Sequence, residues 1–246
     1  MRLLFFLLAL TTAALQPAVA QKILEKSVDI AKGQRLFLNL KQASIIRIRA
    51  GAGSKMTLKA SVSINQNRLN DALLLRTEQS GEELKLTSEF DKEMLRNAQP
   101  GDCPNGGSYY GDTYYVNGKD DGVADRDGNR HTQVCATVEY EITVPADVNL
   151  RVYTLSGNID VAGLTGPLEA KSLSGFVDVA WPAGQGAELA LKTITGEVYT
   201  DQEIAFTSAP KKNPLVGYQL RGTLKGSGPL VKLESISNDV YFRKRK

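Results

Sequence analysis

The sequence predicts an all-β protein, with an N-terminal strand-rich region continuous with a C-terminal repeat solenoid of β-helix or β-roll type; an antiparallel β-sandwich is the alternative. Three observations lead there. Apolar and polar residues alternate over much of residues 28–90. The same alternation returns at Val138, Tyr140, Ile142 and Val144 and is closed by Pro145. A ten-residue motif then recurs four times between Val152 and Phe242.

Residues 1–20 read as a secretory signal peptide. Arg2 supplies the positive start, Leu3 to Leu15 the apolar stretch, and Ala18-Val19-Ala20 the small residues before a cut. A membrane anchor would need about 18 consecutive apolar residues, and Gln16-Pro17 ends this run sooner. Nothing later in the chain is long and apolar enough to span a bilayer, and no cysteine near the cut invites a lipid. The mature chain, 226 of the 246 residues, is therefore expected in the periplasm, at the cell surface or outside the cell. The full chain's balance of 30 basic and 27 acidic side chains, with no long basic stripe, argues against nucleic acid as a partner. One histidine leaves most metal and acid/base chemistries short of groups.

Residues 21–100 form the N-terminal β region. Leu36, Leu38 and Leu40 alternate, as do Ile46 and Ile48, Met56 through Ile64, and Leu84 and Leu86, with breaks at Lys32-Gly33, Gly51-Ala52-Gly53 and Ser80-Gly81. Asn70 to Leu75 fits a helical turn or a buried strand equally well. Residues 101–134 interrupt the pattern with an insert rich in Gly, Asp and Tyr. Cys103 and Cys135 flank it, in an oxidising compartment once the signal is accepted. Free thiols, zinc ligation and a redox pair are the competitors. A structural disulfide is preferred, because two further metal ligands and C-x-x-C spacing are both missing.

Residues 135–246 carry the repeat. Segments 152–161, 170–179, 191–200 and 233–242 align without gaps, and their corner residues Gly157, Gly175, Gly196 and Asn238 are separated by 18, 21 and 42 residues. A period near 20 suits stacked coils about 4.8 Å apart. On this reading Leu155, Leu173, Ile194 and Ile236 form one internal apolar ladder and Ile159, Val177, Val198 and Val240 a second. The Gly and Asn positions supply residues that tolerate φ > 0 at a corner. Hydroxyls at 154, 172, 193 and 235, and again at 156, 174, 195 and 237, could bond along the stack or close the turns. A degenerate coil is expected near Gly217, interrupted by Lys211-Lys212-Asn213-Pro214. The alternative makes each Ser-Gly a hairpin turn.

The segments 155–161, 163–168, 172–179, 193–199 and 236–244 resemble the bacterial putative-adhesin family of exported repeat proteins of unknown function. The leader, Pro214 to Gly222 and the insert opening Asp102-Cys103-Pro104 look like its Bacteroidetes-type members. The resemblance spans nearly all of the mature chain and is densest over 136–244. It implies a β-helix-like repeat fold and an adhesive or envelope role, and it carries no catalytic residues with it.

Few residues offer chemistry of their own. His131 has no second His and no G-x-S-x-G partner motif, so it reads as a loop residue. Asp160 and Asp178 share a repeat column, where stacked carboxylates would raise one pKa as glycan cleavage requires. A solvated outer face is the plainer reading, and Tyr199 and Tyr241 in the same column support it. Asp120, Asp121, Asp125, Asp127 and Asn129 form part of an oxygen-rich calcium loop. The full pattern would place Gly at 130 and Glu at 136, where this chain has Arg130 and Ala136. Calcium is the one metal raised, and no other cofactor is expected. Tyr109, Tyr110, Tyr114 and Tyr115 offer a contact surface or pins that hold the loop to the sheet. The basic end, 242–246, either meets anionic envelope surfaces or is simply solvated.

The sequence thus points to an exported, non-enzymatic envelope protein, an adhesin or a binding or scaffold module whose partner is a glycan or another envelope protein. The alternatives are a polysaccharide-active enzyme working through Asp160 and Asp178, and a periplasmic partner of a signalling or membrane system.

Overall fold

The computed structural model describes residues 20–99, 101–110, 132–207 and 218–245. The signal segment up to Val19, His131, Tyr114, Tyr115 and the five calcium candidates lie outside the described residues, as do Lys211 to Pro214 and Gly217.

Nineteen strands are present among the described residues. The first six are β1 (Lys22–Asp29), β2 (Arg35–Asn39), β3 (Ile45–Gly51), β4 (Lys55–Ile64), β5 (Leu73–Ser80) and β6 (Glu83–Phe90). A four-residue helix, α1 (Lys92–Leu95), follows, its N-terminus capped by the Asp91 carboxylate. The insert contributes β7 (Ser108–Tyr110) and β8 (Thr132–Val134), and β9 (Ala136–Pro145) leaves it. The repeats supply β10 (Asn149–Thr154), β11 (Asn158–Ala162), β12 (Leu168–Ser172), β13 (Val177–Trp181), β14 (Ala187–Thr193) and β15 (Val198–Thr200). The chain closes with β16 (Ile204–Phe206), β17 (Tyr218–Leu224), β18 (Leu230–Ser235) and β19 (Val240–Lys244).

These strands form two large mixed sheets and one small pair. Sheet 1 runs β1-β4-β9-β3-β11-β13-β19-β15, sheet 2 runs β16-β17-β14-β18-β12-β10-β2-β6-β5, and neither closes into a barrel. The centre of each sheet is parallel; antiparallel strands finish both ends of sheet 2 and the β1–β4–β9 end of sheet 1, whose other edge, β15, is parallel to β19. The alternating residues of both sheets meet in one core. Leu36, Leu38, Ile46, Ile48, Leu84 and Leu86 are fully buried, as are Val152, Ile159, Val177 and Val240. Each such aliphatic side chain contributes about 1.5–3 kcal/mol relative to leaving it in water.

Spatial order departs from chain order. The last repeat, β18 and β19, lies between β12/β13 and β14/β15, so neighbouring rungs are not consecutive in the chain. After β15 the chain turns into β16 and β17, and β17 pairs antiparallel with β14 where a further coil was expected near Gly217. The repeats are therefore stacked in parallel and in register without winding as one coil in chain order. Because its centre is parallel, the fold is not the antiparallel alternative either. The stack also extends further towards the N-terminus than the motif does: β2 and β3 pair with β10 and β11 as an additional rung with no Ser-Gly corner.

Two expectations about the corners are corrected. Leu155, Leu173, Ile236 and Ile194 follow one another along the stack but are only half-buried, on the outer rim of the corner. Period two explains this: Val152 and Thr154 point inward, so residue 155 must point outward. The inward place belongs to the hydroxyls Thr154, Ser172, Thr193 and Ser235, all fully buried. Nor is φ positive at Gly157, Gly175, Gly196 or Asn238. The three glycines answer to close approach instead. A Cβ on Gly175 would lie 2.1 Å from the Gly157 carbonyl oxygen, and one on Gly196 would lie 2.2 Å from that of Asn238.

Cys103 and Cys135 are joined in a disulfide, with Cα atoms 5.6 Å apart, at the base of the insert. Asn65 holds the same place: its side chain is completely buried, accepts the Cys135 amide at 3.1 Å and donates to the Gln133 carbonyl at 3.0 Å. It opens three consecutive residues of left-handed backbone, Asn65, Gln66 and Asn67, with φ of 48°, 55° and 71°.

Candidate functional site

The outer face of sheet 2 bears a concavity of about 610 Å³, open to solvent along its length. Its floor is formed by side chains that alternate with the core residues. Phe37 and Asn39 come from β2, Arg151 and Tyr153 from β10, and Glu169 and Lys171 from β12. Lys41, Leu173 and Ile236, all in corner positions, make one rim. Pairing sets the rows. Phe37 lies beside Arg151 and Arg151 beside Glu169, while Asn39, Tyr153 and Lys171 form the adjacent row. Because these strands are hydrogen-bonded to both neighbours, the floor cannot rearrange without breaking the sheet.

Charge on this face is ordered. Glu169 receives Lys232 at 2.7 Å and the Arg151 Nε at 3.6 Å. The Arg151 guanidinium stands 4.8 Å above the centre of the Phe37 ring, where the ring quadrupole attracts it. One row over, Glu234 lies between Lys171 at 3.2 Å and Lys192 at 3.1 Å. Burial works to raise the Glu234 carboxyl, but the hydrogen bonds and charges of the two lysines outweigh it and hold the group below its ordinary value. The solvent-facing pairs on Glu169 are worth about 0–1 kcal/mol each, so their effect is to fix side-chain positions more than to stabilise the fold.

Sheet 1 holds the carboxylates of the repeat column. Asp160 and Asp178 are registered neighbours on its outer face. Arg49 clamps Asp160 through both oxygens, at 3.0 and 2.6 Å. Arg243 clamps Asp178 in the same bidentate fashion, its Nε 2.9 Å from one oxygen and its terminal nitrogen on the other. Both carboxylates are thus engaged by guanidinium groups through charge-assisted hydrogen bonds. The next two members of the row, Tyr241 and Tyr199, stack with ring centres 5.1 Å apart. The Tyr199 hydroxyl donates to Glu197 at 2.9 Å, and this bond to a carboxylate pushes its pKa up to about 12.

The basic end is tied down as far as it is described. Besides Arg243 on Asp178, the Lys244 amide donates to Asp201 at 2.6 Å and the Arg245 amide to the Trp181 carbonyl at 2.8 Å. Tyr109 and Tyr110 lie in β7, opposite Gln133 and Thr132 of β8. Among the described residues no group of three or more His, Cys, Asp or Glu side chains could hold a metal ion, and no helix is long and apolar enough to cross a membrane.

The groove residues escaped the sequence reading because they are the outward half of each alternation, which says nothing about partners until strands are paired. One signal was present. Lys41 occupies the column held elsewhere by Leu155, Leu173, Ile236 and Ile194, but its rung lacks the Ser-Gly motif that would have aligned it.

No protein-family model matches the chain, and no curated protein does. Three solved structures are similar to it. A "putative cell adhesion protein" from Clostridium sporogenes is 11% identical, with a TM-score of 0.45, over 92% of this chain and 100% of the other. A "putative adhesin" from Bacteroides fragilis is 11% identical, with a TM-score of 0.30, over 91% and 97%. A "putative lipid binding protein" from Parabacteroides distasonis is 10% identical, with a TM-score of 0.23, over 89% and 96%.

Proposed function

We propose that this chain is an exported, non-enzymatic binding or scaffold module of the bacterial envelope, an adhesin-like protein that holds its partner on a rigid β surface. The groove on sheet 2 carries the reading. It combines aromatic and aliphatic side chains with several charged groups, on a floor whose geometry the paired strands hold fixed. The guanidinium clamps on Asp160 and Asp178 favour it over a polysaccharide-active enzyme. The secretory leader, the cysteine pair and the sequence resemblance to exported adhesins support the envelope location.

The test is a pull-down of envelope glycans and proteins by the mature chain, with and without calcium. Retention of a defined glycan or protein supports the module, and retention that needs calcium would assign the acidic loop around Asp125 and Asp127. Glycan turnover that disappears in an Asp178→Asn variant would replace the reading with an enzyme. Co-purification of one periplasmic signalling or membrane component would replace adhesion with partnership in that system.

A further inference from the structure

We infer that the groove on sheet 2 binds an acidic saccharide chain, with its carboxylates on Lys41 and Arg151 and a sugar face against Tyr153. The inference rests on the binding-module reading and names its ligand class. Among the described residues the Lys41 ammonium and the Tyr153 hydroxyl have no side-chain partner, and the terminal nitrogens of Arg151 make no hydrogen bond. Of the three cations lining the groove, Lys171 is held by Glu234 at 3.2 Å and Arg151 reaches Glu169 only through its Nε, at 3.6 Å, while Glu169 also holds Lys232 at 2.7 Å, which leaves the Lys41 ammonium and the terminal nitrogens of Arg151 unmet. The unmet charge is positive, and it calls for an anion.

The remaining surface decides which anion. Leu173 and Ile236 are half-buried beside the cations, so the ligand must present carbon–hydrogen surface next to its charge. Sugar rings do this, and a Tyr ring pairs that apolar contact with a polar tip. The groove is open and shallow and offers no enclosed apolar chamber for an acyl chain, whereas a polymer can enter and leave along it. Its rungs repeat at the strand spacing of about 4.8 Å, close to the advance of an extended glycan per sugar. Packing explains the aliphatic rim column but not the single cation in it, Lys41. An anionic ligand does.

Calorimetric titration of the full mature chain tests this with three probes: an oligogalacturonate hexamer, neutral maltohexaose, and vesicles of phosphatidylcholine and phosphatidylglycerol in equal parts. The acidic hexamer is expected to bind, more weakly as salt rises. Lys41→Ala and Arg151→Ala should each lower its affinity by about tenfold, the effect of losing one charged hydrogen bond. Arg151→Lys should retain most of the binding, and Lys59→Ala on sheet 1 should change nothing. Equal binding of the neutral hexamer, undiminished binding in both alanine variants, preference for the anionic vesicles, or no binding of any probe would each overturn the acidic-saccharide assignment. The module reading would survive those results if the envelope pull-down still retained a partner, and would fall with them if it did not.

Discussion

The Ser172 hydroxyl donates to the Gly157 carbonyl, 2.8 Å away on the neighbouring rung, while it accepts the Gly175 amide of its own corner at 2.9 Å. Ser235 repeats the arrangement between the Gly175 carbonyl and the Asn238 amide, and Thr193 between the Asn238 carbonyl and the Gly196 amide. At these three corners one small polar side chain therefore closes the turn and ties it to a neighbouring rung, while Thr154 closes its own, accepting the Gly157 amide at 3.4 Å. Because the hydroxyls are buried, no water can replace them.

Ser172→Ala should lower stability by about 1–3 kcal/mol, since it strands both the Gly157 carbonyl and the Gly175 amide in the interior. Ser235→Thr should cost less, because Thr already serves in the same column at 154 and 193. Denaturant unfolding of the two variants measures both, and equal losses would contradict the ladder.

Glycines separate into two classes by surroundings. Gly175→Ala should cost about 3 kcal/mol or more, since its Cβ would meet a backbone oxygen that the stack holds in place. Gly184→Ala meets nothing within 4 Å and its φ is not positive, so it should be neutral or stabilise by up to about 1 kcal/mol. Thermal melts of the pair give the comparison, and similar shifts would remove close approach as the reason for corner glycines.

Reducing the Cys103–Cys135 bond, or replacing both cysteines with Ser, should remove about 2–4 kcal/mol by freeing the insert in the unfolded chain. Unfolding curves with and without reductant read the difference directly. An unchanged midpoint would mean that Asn65 and the β7–β8 pair secure the insert without the bond.

Acid should weaken the fold in a defined window. Glu234 and Asp102 both have depressed carboxyl pKa values. At each, burial acts to raise the value and is outweighed: by Lys192 and Lys171 at Glu234, and by the Gln99 amide, Asn65 and Arg68 at Asp102. A depressed folded pKa contributes stability that is present above the unfolded value and is lost as pH falls through the folded one. The Glu234 contribution should therefore be intact above its ordinary value of 4.5 and decline below it, with Asp102 following below 3.8. Unfolding midpoints measured down the acid range test this, and Glu234→Gln should flatten the first part of the decline.

Much of the core could be read from residues alone. Leu36, Leu38, Leu84, Leu86 and Met56 through Ile64 alternate and are buried as alternation requires. Of the second repeat ladder, Ile159, Val177 and Val240 are fully buried, whereas Val198, on the edge strand β15, is only half-buried. Aliphatic character alone does not place the first ladder: Leu155 is one residue past the inward Thr154, and period two places it outside. Asp160 and Asp178 were rightly read as stacked neighbours, but their partners Arg49 and Arg243 stand 111 and 65 residues away in the chain, beyond any local pattern.

By itself the sequence determined where most core strands run and which of their alternating side chains are buried, because alternation acts over a few neighbouring residues. Only the tertiary structure decided which rung lies beside which. The repeats are chemically alike, so any of them could pair with any other, and it is β18 and β19, the last in the chain, that lie between β12/β13 and β14/β15. The groove depends on that decision. Phe37, Arg151, Lys171 and Ile236 are spread over most of the chain and share a surface only once four parallel strands and their corners have been brought into register.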